Sequence, residues 1–406
     1  MYLPDAQGCQ GISDLGRQGQ PDQGSFVSVG SAVARSPLHV VWGSWPLPLF
    51  LPSQGYQGDF DVKAVFITGH GGNDVVSIAD RPRPVRQPGE VLIRMQAATL
   101  NQVDLYMRNS GAGITHQLPQ IMGLDGAGIV EEVDAHERGL APGQSVVLHP
   151  AVGCGRCEFC QRGDVILCTS IQLLGEHRDG TLAEYVSVPA QNVFPMPAGL
   201  TFAEAAALGV NHLTAWRMLF TKAQLKPWET VLIFGVGGGV SLAALQLVKL
   251  AGAKAIVTSR DAAKLEHARL LGADHLINTS AQDVVKEVMK HTGGRGVDVV
   301  FENVGAAVWS SAMKLLVRGG RLVTCGATSG DQPSADIRRI FIRQLQILGS
   351  TLGNFDEFGD LLSLTQRTSL RPVIDSEFPL DQAHAALSRL ESGEQFGKIA
   401  IRIGEA

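Results

Sequence analysis

Four cysteines lie close together in the chain, at a spacing that suits a metal ion. They follow the pattern Cys154-x2-Cys157-x2-Cys160-x7-Cys168. Four thiolates complete the tetrahedral shell of a structural zinc and leave no position for a substrate. In a reducing compartment such a cluster indicates metal binding rather than disulfides. The spacing therefore predicts one structural zinc per chain, the alternative being four free thiols.

A glycine-rich turn has the composition of a phosphate-binding loop. The buried-strand candidate Val231–Phe234 leads into Gly235–Ala244 and then into an apolar helix that reaches Leu250. Glycines allow a tight turn and let a pyrophosphate approach the amides at a helix N-terminus, where the helix dipole favours an anion. The strict GxGxxG pattern fails at Val240. We predict a dinucleotide site here, the alternative being a turn with a purely structural role.

The residues after the next predicted strand bear on which dinucleotide binds. About twenty residues beyond Gly239, where an NAD site carries an acidic residue, the sequence has Ser259 and Arg260, followed by Lys264. A guanidinium binds a phosphate in two places, whereas a carboxylate would repel it. We therefore predict NADPH rather than NADH. The alternative is that Arg260 and Lys264 are solvated residues at the start of a helix that Asp261 caps.

Length and composition define the kind of chain that must position these groups. The 406 residues are 45% hydrophobic and 18% charged, which predicts two globular domains with large cores. A net charge of -5 gives no electrostatic reason to expect a nucleic acid or membrane partner. We find no transmembrane or secretory pattern and expect a cytoplasmic protein. Residues 1–61, rich in Gly, Gln, Pro and Ser, are expected to form a disordered extension.

Hydrophobic periodicity divides the rest of the chain into two regions with different secondary-structure patterns. The first part has strand candidates of an antiparallel, β-rich region, and from Phe202 onward strands alternate with helices, which predicts a doubly wound parallel sheet. A helix over 381–394 and a strand over 398–403 return to the pattern of the first region. The strand candidates of the first part are 62–67, 90–95, 128–133, 144–148 and 183–188. Those of the second part are 229–234, 255–258, 297–301 and 320–324.

Together with the cysteine spacing and the glycine-rich turn, the segments Gly123–Gly128 (GLDGAG) and Asp179–Tyr185 (DGTLAEY) resemble the medium-chain dehydrogenase/reductase superfamily. The cysteine lobe resembles zinc-containing alcohol dehydrogenases, and the glycine-rich turn and Phe396–Lys398 resemble quinone oxidoreductases. The resemblance covers residues 62–406 and implies an α/β fold. A GroES-like β-rich catalytic domain would comprise 62–211 and 351–406, with the zinc lobe at 150–170, and a Rossmann dinucleotide-binding domain would comprise 212–350.

The resemblance also implies that a catalytic zinc is missing. Alcohol dehydrogenases of the family hold that ion with two cysteines and a histidine, and the corresponding positions here are Asn101, Leu124 and Val210. Leucine and valine have no donor atom, so an open zinc site cannot form from these positions. The alternative is a substitute metal site. Its candidate ligands are Asp104, Asp125 and His212.

Without that zinc, the remaining machinery suits hydride transfer from a nicotinamide to an already electrophilic carbon. We predict an NAD(P)H-dependent reductase of activated double bonds, quinones or carbonyls. The candidate catalytic residues are Asn101 as a hydrogen-bond donor to the substrate carbonyl, Tyr106 as a proton relay and Asp104 as an orienting group. The predicted cofactor site comprises Thr214, Gly235, Gly237, Gly238, Gly239, Val240, Ser259, Arg260, Lys264, Gly305 and Lys398.

Two other functions stay open at this point. One is an alcohol dehydrogenase acting on alcohol and aldehyde or ketone pairs, and the other is a non-catalytic dinucleotide-binding protein. The expected partner is a small-molecule substrate. The resemblance implies a homodimer or homotetramer that pairs edge strands of two Rossmann sheets, with the apolar run Leu345–Leu352 as the candidate contact.

Overall fold

The computed structural model describes residues 61–404, except 115 and 136. The predicted extension over residues 1–61 therefore lies outside the described residues, apart from Asp61, which begins the first strand. The strands of the β-rich region are β1 (Asp61–Ile67), β2 (Val76–Pro82), β3 (Glu90–Thr99), β4 (Gln120–Ile121), β5 (Asp125–Glu132), β6 (Ser145–Leu148), β7 (Ala151–Val152), β8 (Gln172–Leu173), β9 (Tyr185–Pro189) and β10 (Val193–Pro195). Its helices are α1 (Gln102–Ser110), α2 (Glu158–Gln161), α3 (Phe202–Ala206) and α4 (Leu213–Trp216).

The rest of the chain alternates strand and helix and then returns to the first region. Its strands are β11 (Thr230–Ile233), β12 (Lys254–Ser259), β13 (His275–Asn278), β14 (Val297–Glu302), β15 (Leu316–Thr324), β16 (Gln346–Gly349), β17 (Ile374–Pro379) and β18 (Lys398–Arg402). Its helices are α5 (Gly239–Leu250), α6 (Ala262–Leu270), α7 (Val284–His291), α8 (Ala306–Leu315), α9 (Ile337–Arg343), α10 (Phe355–Arg367) and α11 (Ala383–Ser392).

The β-rich region is built on a seven-stranded, mostly antiparallel sheet. Its order is β10-β6-β5-β3-β18-β17, and β9 also pairs with β3. Alternate residues of β3, among them Val91, Ile93 and Met95, pack into one buried apolar cluster with side chains of β6 and β9. Strand β18 runs antiparallel to β3, with Ala400 opposite Thr99. The C-terminal tail therefore completes the sheet that the first part of the chain begins.

The second region is a six-stranded parallel sheet in the order β13-β12-β11-β14-β15-β16. Every residue of β14 is buried, as expected for a strand covered by helices on both faces. The chain moves outward from β11 to β13, then returns to the other side at β14, so the topological switch point lies between β11 and β14. Ligands bind at the carboxyl ends of strands at such a point. The predicted fold class is confirmed, whereas the domain boundaries stay predictions.

Some elements differ from the sequence-based prediction. Hydrophobic patterning does not predict β13, β16 or β17, because most of their residues are partly or fully exposed. The helix predicted from residue 381 begins at Ala383, after a single 3-10 turn over Leu380–Gln382. Among the described residues, no helix is long and apolar enough to cross a membrane.

A buried histidine joins the antiparallel sheet to the segment before α10. The His149 ring donates from Nε2 to the Gly353 carbonyl at 2.8 Å and accepts at Nδ1 from the Ala151 amide at 3.2 Å. The Asn192 side chain donates to the carbonyls of His149 and Ala151. Burial lowers the pKa of His149 to about 4, so the folded protein holds this imidazole neutral at physiological pH.

We predict that His149 makes the protein less stable in acid. In the unfolded chain a histidine takes up its proton near pH 6.5, whereas in the folded chain it does so near pH 4, so stability falls as the pH drops between these values. Relative to a His149→Gln variant, the parent should lose about 1.4 kcal/mol of unfolding free energy per pH unit in this window. Chemical denaturation at several pH values measures the difference. His267→Gln, at an exposed position, is the control and should parallel the parent.

We also predict a homo-oligomer through the edge of the parallel sheet. The exposed apolar side chains Ile337, Phe341, Ile342 and Ile347 lie on α9 and the edge strand β16. An unpaired apolar edge strand is a template for pairing with a second copy. Light scattering should give at least a dimer at micromolar concentration, and Ile347→Lys should shift it toward monomer. A monomeric parent would contradict the prediction.

Candidate active site and cysteine lobe

The four predicted zinc ligands come together in the structure. The sulfur atoms of Cys154, Cys157, Cys160 and Cys168 all lie within 4.8 Å of one another. Cys160 lies on the short helix α2, which begins just after Cys157. Hydrogen bonding from the Cys160 amide lowers the pKa of the Cys157 thiol to about 6, which favours the thiolate that a metal needs. Four sulfur donors at this separation fit a structural zinc.

A buried ion-pair network holds the lobe against the rest of the protein. Arg217, which is almost fully buried, donates to Asp164 at 2.9 Å and to Glu357 at 2.8 Å. Asp164 lies in the lobe between Cys160 and Cys168, and Glu357 lies in the first turn of α10. The cysteine loop is therefore linked through one guanidinium to a helix far away in sequence.

The glycine-rich turn has the geometry of a phosphate-binding loop. Gly235 and Gly237 have φ values of 66° and 127°, a region that favours glycine, and α5 begins at Gly239. A Cβ atom at Gly239 would lie 2.5 Å from the Asn211 amide nitrogen and 3.0 Å from Lys398 Cδ. The absence of a side chain at Gly239 thus lets two polar side chains approach the helix N-terminus, where an anion is favoured. Val240, in place of the third glycine, is only partly exposed.

The residues predicted to select the cofactor lie at the end of β12. Arg260 is exposed, and its guanidinium forms no hydrogen bond or ion pair with the described residues. Ser259 Oγ accepts from the Asp261 amide at 3.1 Å. Asp261 caps α6 by accepting from the amides of Ala263 and Lys264. The Lys264 ammonium donates to the Gly393 carbonyl at 2.6 Å, so among the described residues at this strand end only Arg260 is left as an unpaired cation.

Two further predicted cofactor residues, Gly305 and Thr214, lie on neighbouring elements. Gly305 precedes α8 with a φ of 91°, and its amide donates at 2.6 Å to Glu302 at the carboxyl end of β14. Gly305 thus lies at the same end of the parallel sheet as Gly235. Thr214 is buried on α4, which packs against α5.

Apolar side chains fill the positions where the resemblance locates catalytic zinc ligands. Leu124 and Val210 are buried in one cluster with Ala151, Ile166 and Leu352. None of these side chains offers a donor atom. The donor set therefore does not fit a catalytic zinc at these positions.

The third of these positions, Asn101, belongs to a buried polar network around Lys398. The Lys398 ammonium is 3% exposed and donates to the Leu100 carbonyl at 2.8 Å and to Asn101 Oδ1 at 2.6 Å. It lies 3.5 Å from the fully buried carboxylate of Asp125. The Asn101 amide donates to Asp125 at 3.1 Å and to the Thr99 carbonyl at 3.3 Å. In this arrangement both the side-chain nitrogen and the side-chain oxygen of Asn101 have hydrogen-bond partners in the protein.

Two acidic groups near this network have strongly raised pKa values. Burial raises the pKa of Asp104 to about 7, with a further contribution from Asp125, although the Asn101 backbone amide donates to Asp104 at 2.7 Å. Burial also raises the pKa of Glu176 to about 7, and the charge of Asp104 adds to the shift. The site therefore contains carboxyl groups that exchange protons near neutral pH. Sequence reasoning missed Glu176, because no spacing pattern connects it to α1.

The remaining candidates have different surroundings. Tyr106 on α1 is 38% exposed, and burial raises the pKa of its hydroxyl. His212 bonds to Gln246 at 3.0 Å, and burial lowers its pKa to about 4.

Asn211 contacts Gly239, and its carboxamide has no hydrogen-bond partner among the described residues. Sequence reasoning missed Asn211. Within the described part of the chain, the cysteine lobe is the only group of three or more histidine, cysteine or acidic side chains close enough to hold a metal.

Family models match both regions of the chain. Residues 87–198 match the alcohol dehydrogenase GroES-like domain, and residues 239–367 match the zinc-binding dehydrogenase model. The first match contains the cysteine lobe and Asn101, and the second contains α5 and the carboxyl ends of β12, β14 and β15.

Known proteins and structures are similar over almost the whole described chain. An NAD-dependent alcohol dehydrogenase of Sulfurisphaera tokodaii is 32% identical over 80% of this chain and 95% of its own length. A crystal structure of an NAD-dependent alcohol dehydrogenase has a TM-score of 0.81 and 40% identity, covering 84% of this chain and 100% of that one. A crotonyl-CoA carboxylase/reductase has a TM-score of 0.79 and 27% identity, covering 84% and 88%. The chain therefore belongs to the medium-chain dehydrogenase/reductase superfamily and is an oxidoreductase of its zinc-type, alcohol dehydrogenase-like family.

Proposed function

We propose that the chain is an NADPH-dependent reductase of activated double bonds, quinones or carbonyls that works without a catalytic zinc. The observation that carries the proposal is the apolar packing of Leu124 and Val210 at positions where the family holds that ion. A catalytic zinc would lower the pKa of an alcohol, whereas an enone or a quinone already has an electrophilic carbon and does not depend on that step. A pocket without metal ligands is better suited to the second class of substrate.

In this proposal the bound cofactor supplies the hydride, and the protein binds, orients and stabilises charge. The amides at the start of α5 receive the pyrophosphate, and Arg260 receives the 2′-phosphate. Lys398 adds a buried positive charge beside Gly239, where it can stabilise negative charge that develops on the substrate. Asn101 acts mainly as a positioning residue, because its side chain is bonded to Lys398 and Asp125.

The protein also has acid-base groups that could supply the proton needed after hydride transfer. Asp104 and Glu176, with pKa values near 7, are close to the ideal for acid-base work at neutral pH. Tyr106 keeps its proton at neutral pH, since burial raises the already high pKa of its hydroxyl. The similarity to a crotonyl-CoA carboxylase/reductase adds support, because that protein's name includes a reductase activity.

A second candidate is an alcohol dehydrogenase acting on alcohol and ketone or aldehyde pairs, which the names of the relatives favour. Zinc content and a substrate panel separate the two. We expect one zinc per chain by elemental analysis, and NADPH oxidation with enones or quinones that survives mild chelation. Two zinc ions per chain, with alcohol oxidation that a chelator abolishes, would support the alcohol dehydrogenase and contradict our proposal.

We predict that the cysteine lobe stabilises the fold rather than taking part in the reaction. Cys157→Ser removes one of four sulfur ligands, so Tm should fall by at least about 5 °C while the folded variant keeps most of its turnover. A strong chelator should lower the Tm of the parent but change that of the variant little. A variant as stable as the parent but inactive would show that the lobe is catalytic.

We predict that Arg260 determines the preference for NADPH. Its guanidinium has no protein partner to lose, so Arg260→Ala should weaken NADPH binding roughly tenfold to a hundredfold and change NADH binding little. Fluorescence titration with both cofactors measures the effect. Arg269→Ala removes an exposed arginine paired with Glu266 on α6 and is the matched control. Equal weakening of both cofactors, or a parent that prefers NADH, would rule out this role.

A further inference from the structure

A charged cavity lies at the end of the parallel sheet opposite to the predicted cofactor site. Its volume is about 570 Å³, and it opens at the amino ends of β11, β14 and β15. The glycine-rich turn and Arg260, by contrast, follow the carboxyl ends of β11 and β12. The charged residues that line the cavity are Glu229, Arg295, Asp298, Arg318, Arg321 and Arg343.

The lining carries more positive than negative charge. Arg295 forms a two-fold pair with Asp298 at 2.7 and 2.9 Å, and Arg321 pairs with Glu229 at 2.6 Å. The guanidinium groups of Arg318 and Arg343 form no ion pair with a carboxylate. The cavity therefore has a formal surplus of two positive charges.

The described residues supply few acceptors to Arg318, which is exposed, and to Arg343, which is partly buried. Arg318 donates to the Ile342 carbonyl, and Arg343 forms no hydrogen bond or ion pair with the described residues. The Nε atoms of Arg321 and Arg343 are buried without a partner. Burial and the nearby charges of Arg339 and Arg318 lower the pKa of Arg343. Buried donors without acceptors are costly, and an external anion would supply the acceptors.

An irregularity in β15 shapes the wall of the cavity. Val297 pairs with Leu316, but Val299 pairs with Arg321, so three additional residues lie on the β15 side. Gly319, with a φ of 72°, lies in this expansion, and a Cβ atom there would meet open space. The expansion places Arg318 and Arg321 on the same cavity without a side chain from Gly319 between them.

We propose that this cavity is a binding site for a doubly charged oxyanion, such as a phosphate group, separate from the cofactor site. Guanidinium groups bind phosphate through pairs of parallel hydrogen bonds, and Arg318 and Arg343 have donors available for this. The site is independent of the proposed reaction, since it lies at the opposite end of the sheet. The cavity also has space for an organic group attached to the phosphate.

Calorimetric titration of the full chain with inorganic phosphate, at an ionic strength held constant with KCl, tests the proposal. The Arg260→Ala variant serves as the background, because it removes the cation proposed for the cofactor phosphate. We expect saturable binding in that background, weakened at least about tenfold by Arg343→Gln and also by Arg318→Gln. Arg338→Gln, an exposed arginine of α9 outside the cavity, is the matched control and should bind like the background.

Three outcomes would overturn the proposal. They are no saturable phosphate binding, binding that Arg260→Ala alone abolishes, and binding that neither cavity variant weakens. Dissociation of an oligomer by Arg343→Gln in phosphate-free buffer would also contradict it, because the arginine would then serve a subunit contact. Titration with glucose 6-phosphate identifies the source of the anion. Tighter binding than that of inorganic phosphate indicates a phosphorylated metabolite, and equal binding indicates free phosphate.

Discussion

The buried positive charge of Lys398 is the constraint around which the two regions of the chain are arranged. Burial lowers the pKa of this ammonium, and Asp125 and Asp104 oppose that effect. An unpaired charge at such depth would be very unfavourable, and breaking a buried pair typically costs about 3–5 kcal/mol. The ammonium therefore requires β18 to lie beside β3, with Asp125 at the start of β5 and Asn101 before α1. The Cδ atom of the same side chain lies beside Gly239 at the start of α5, so this one residue links the C-terminal strand, the antiparallel sheet and a helix of the parallel sheet.

Asn101 of this network and Leu124 and Val210 of the apolar cluster occupy the three positions where the resemblance to alcohol dehydrogenases locates a catalytic zinc. A catalytic zinc would bring a double positive charge and an open coordination position, whereas Lys398 brings one positive charge with its hydrogens directed at protein acceptors. In the proposed function, this site stabilises developing negative charge by a fixed electrostatic field instead of by direct coordination. Leu124 and Val210 then serve packing, since they join the cluster that also contacts Cys160 of the cysteine lobe. The apolar cluster at these positions is thus in contact with the cysteine lobe.

The acidic groups near Lys398 show how strongly position determines protonation. Asp104 lies on the first turn of α1 and Glu176 in the loop after β8, and both are largely removed from water. Because burial disfavours their charged forms, these carboxyl groups are held in part as neutral acids. The arginine-lined cavity at the other end of the parallel sheet presents the opposite imbalance, with two guanidiniums in excess.

The sequence by itself determined the features that depend on local pattern. Cysteine spacing, the glycine-rich turn after β11 and the alternation of strands and helices are local properties, and they were enough to predict the cysteine lobe, the fold class and the family. The absence of donor atoms at Leu124 and Val210 was also readable from residue types. Only the tertiary structure decided that Asn101 has both ends of its amide engaged, that Glu176 lies near Asp104, and that Arg318 and Arg343 share a cavity. These relations join residues far apart in the chain, and their energies depend on burial and on the direction of each side chain, which no single-sequence pattern specifies.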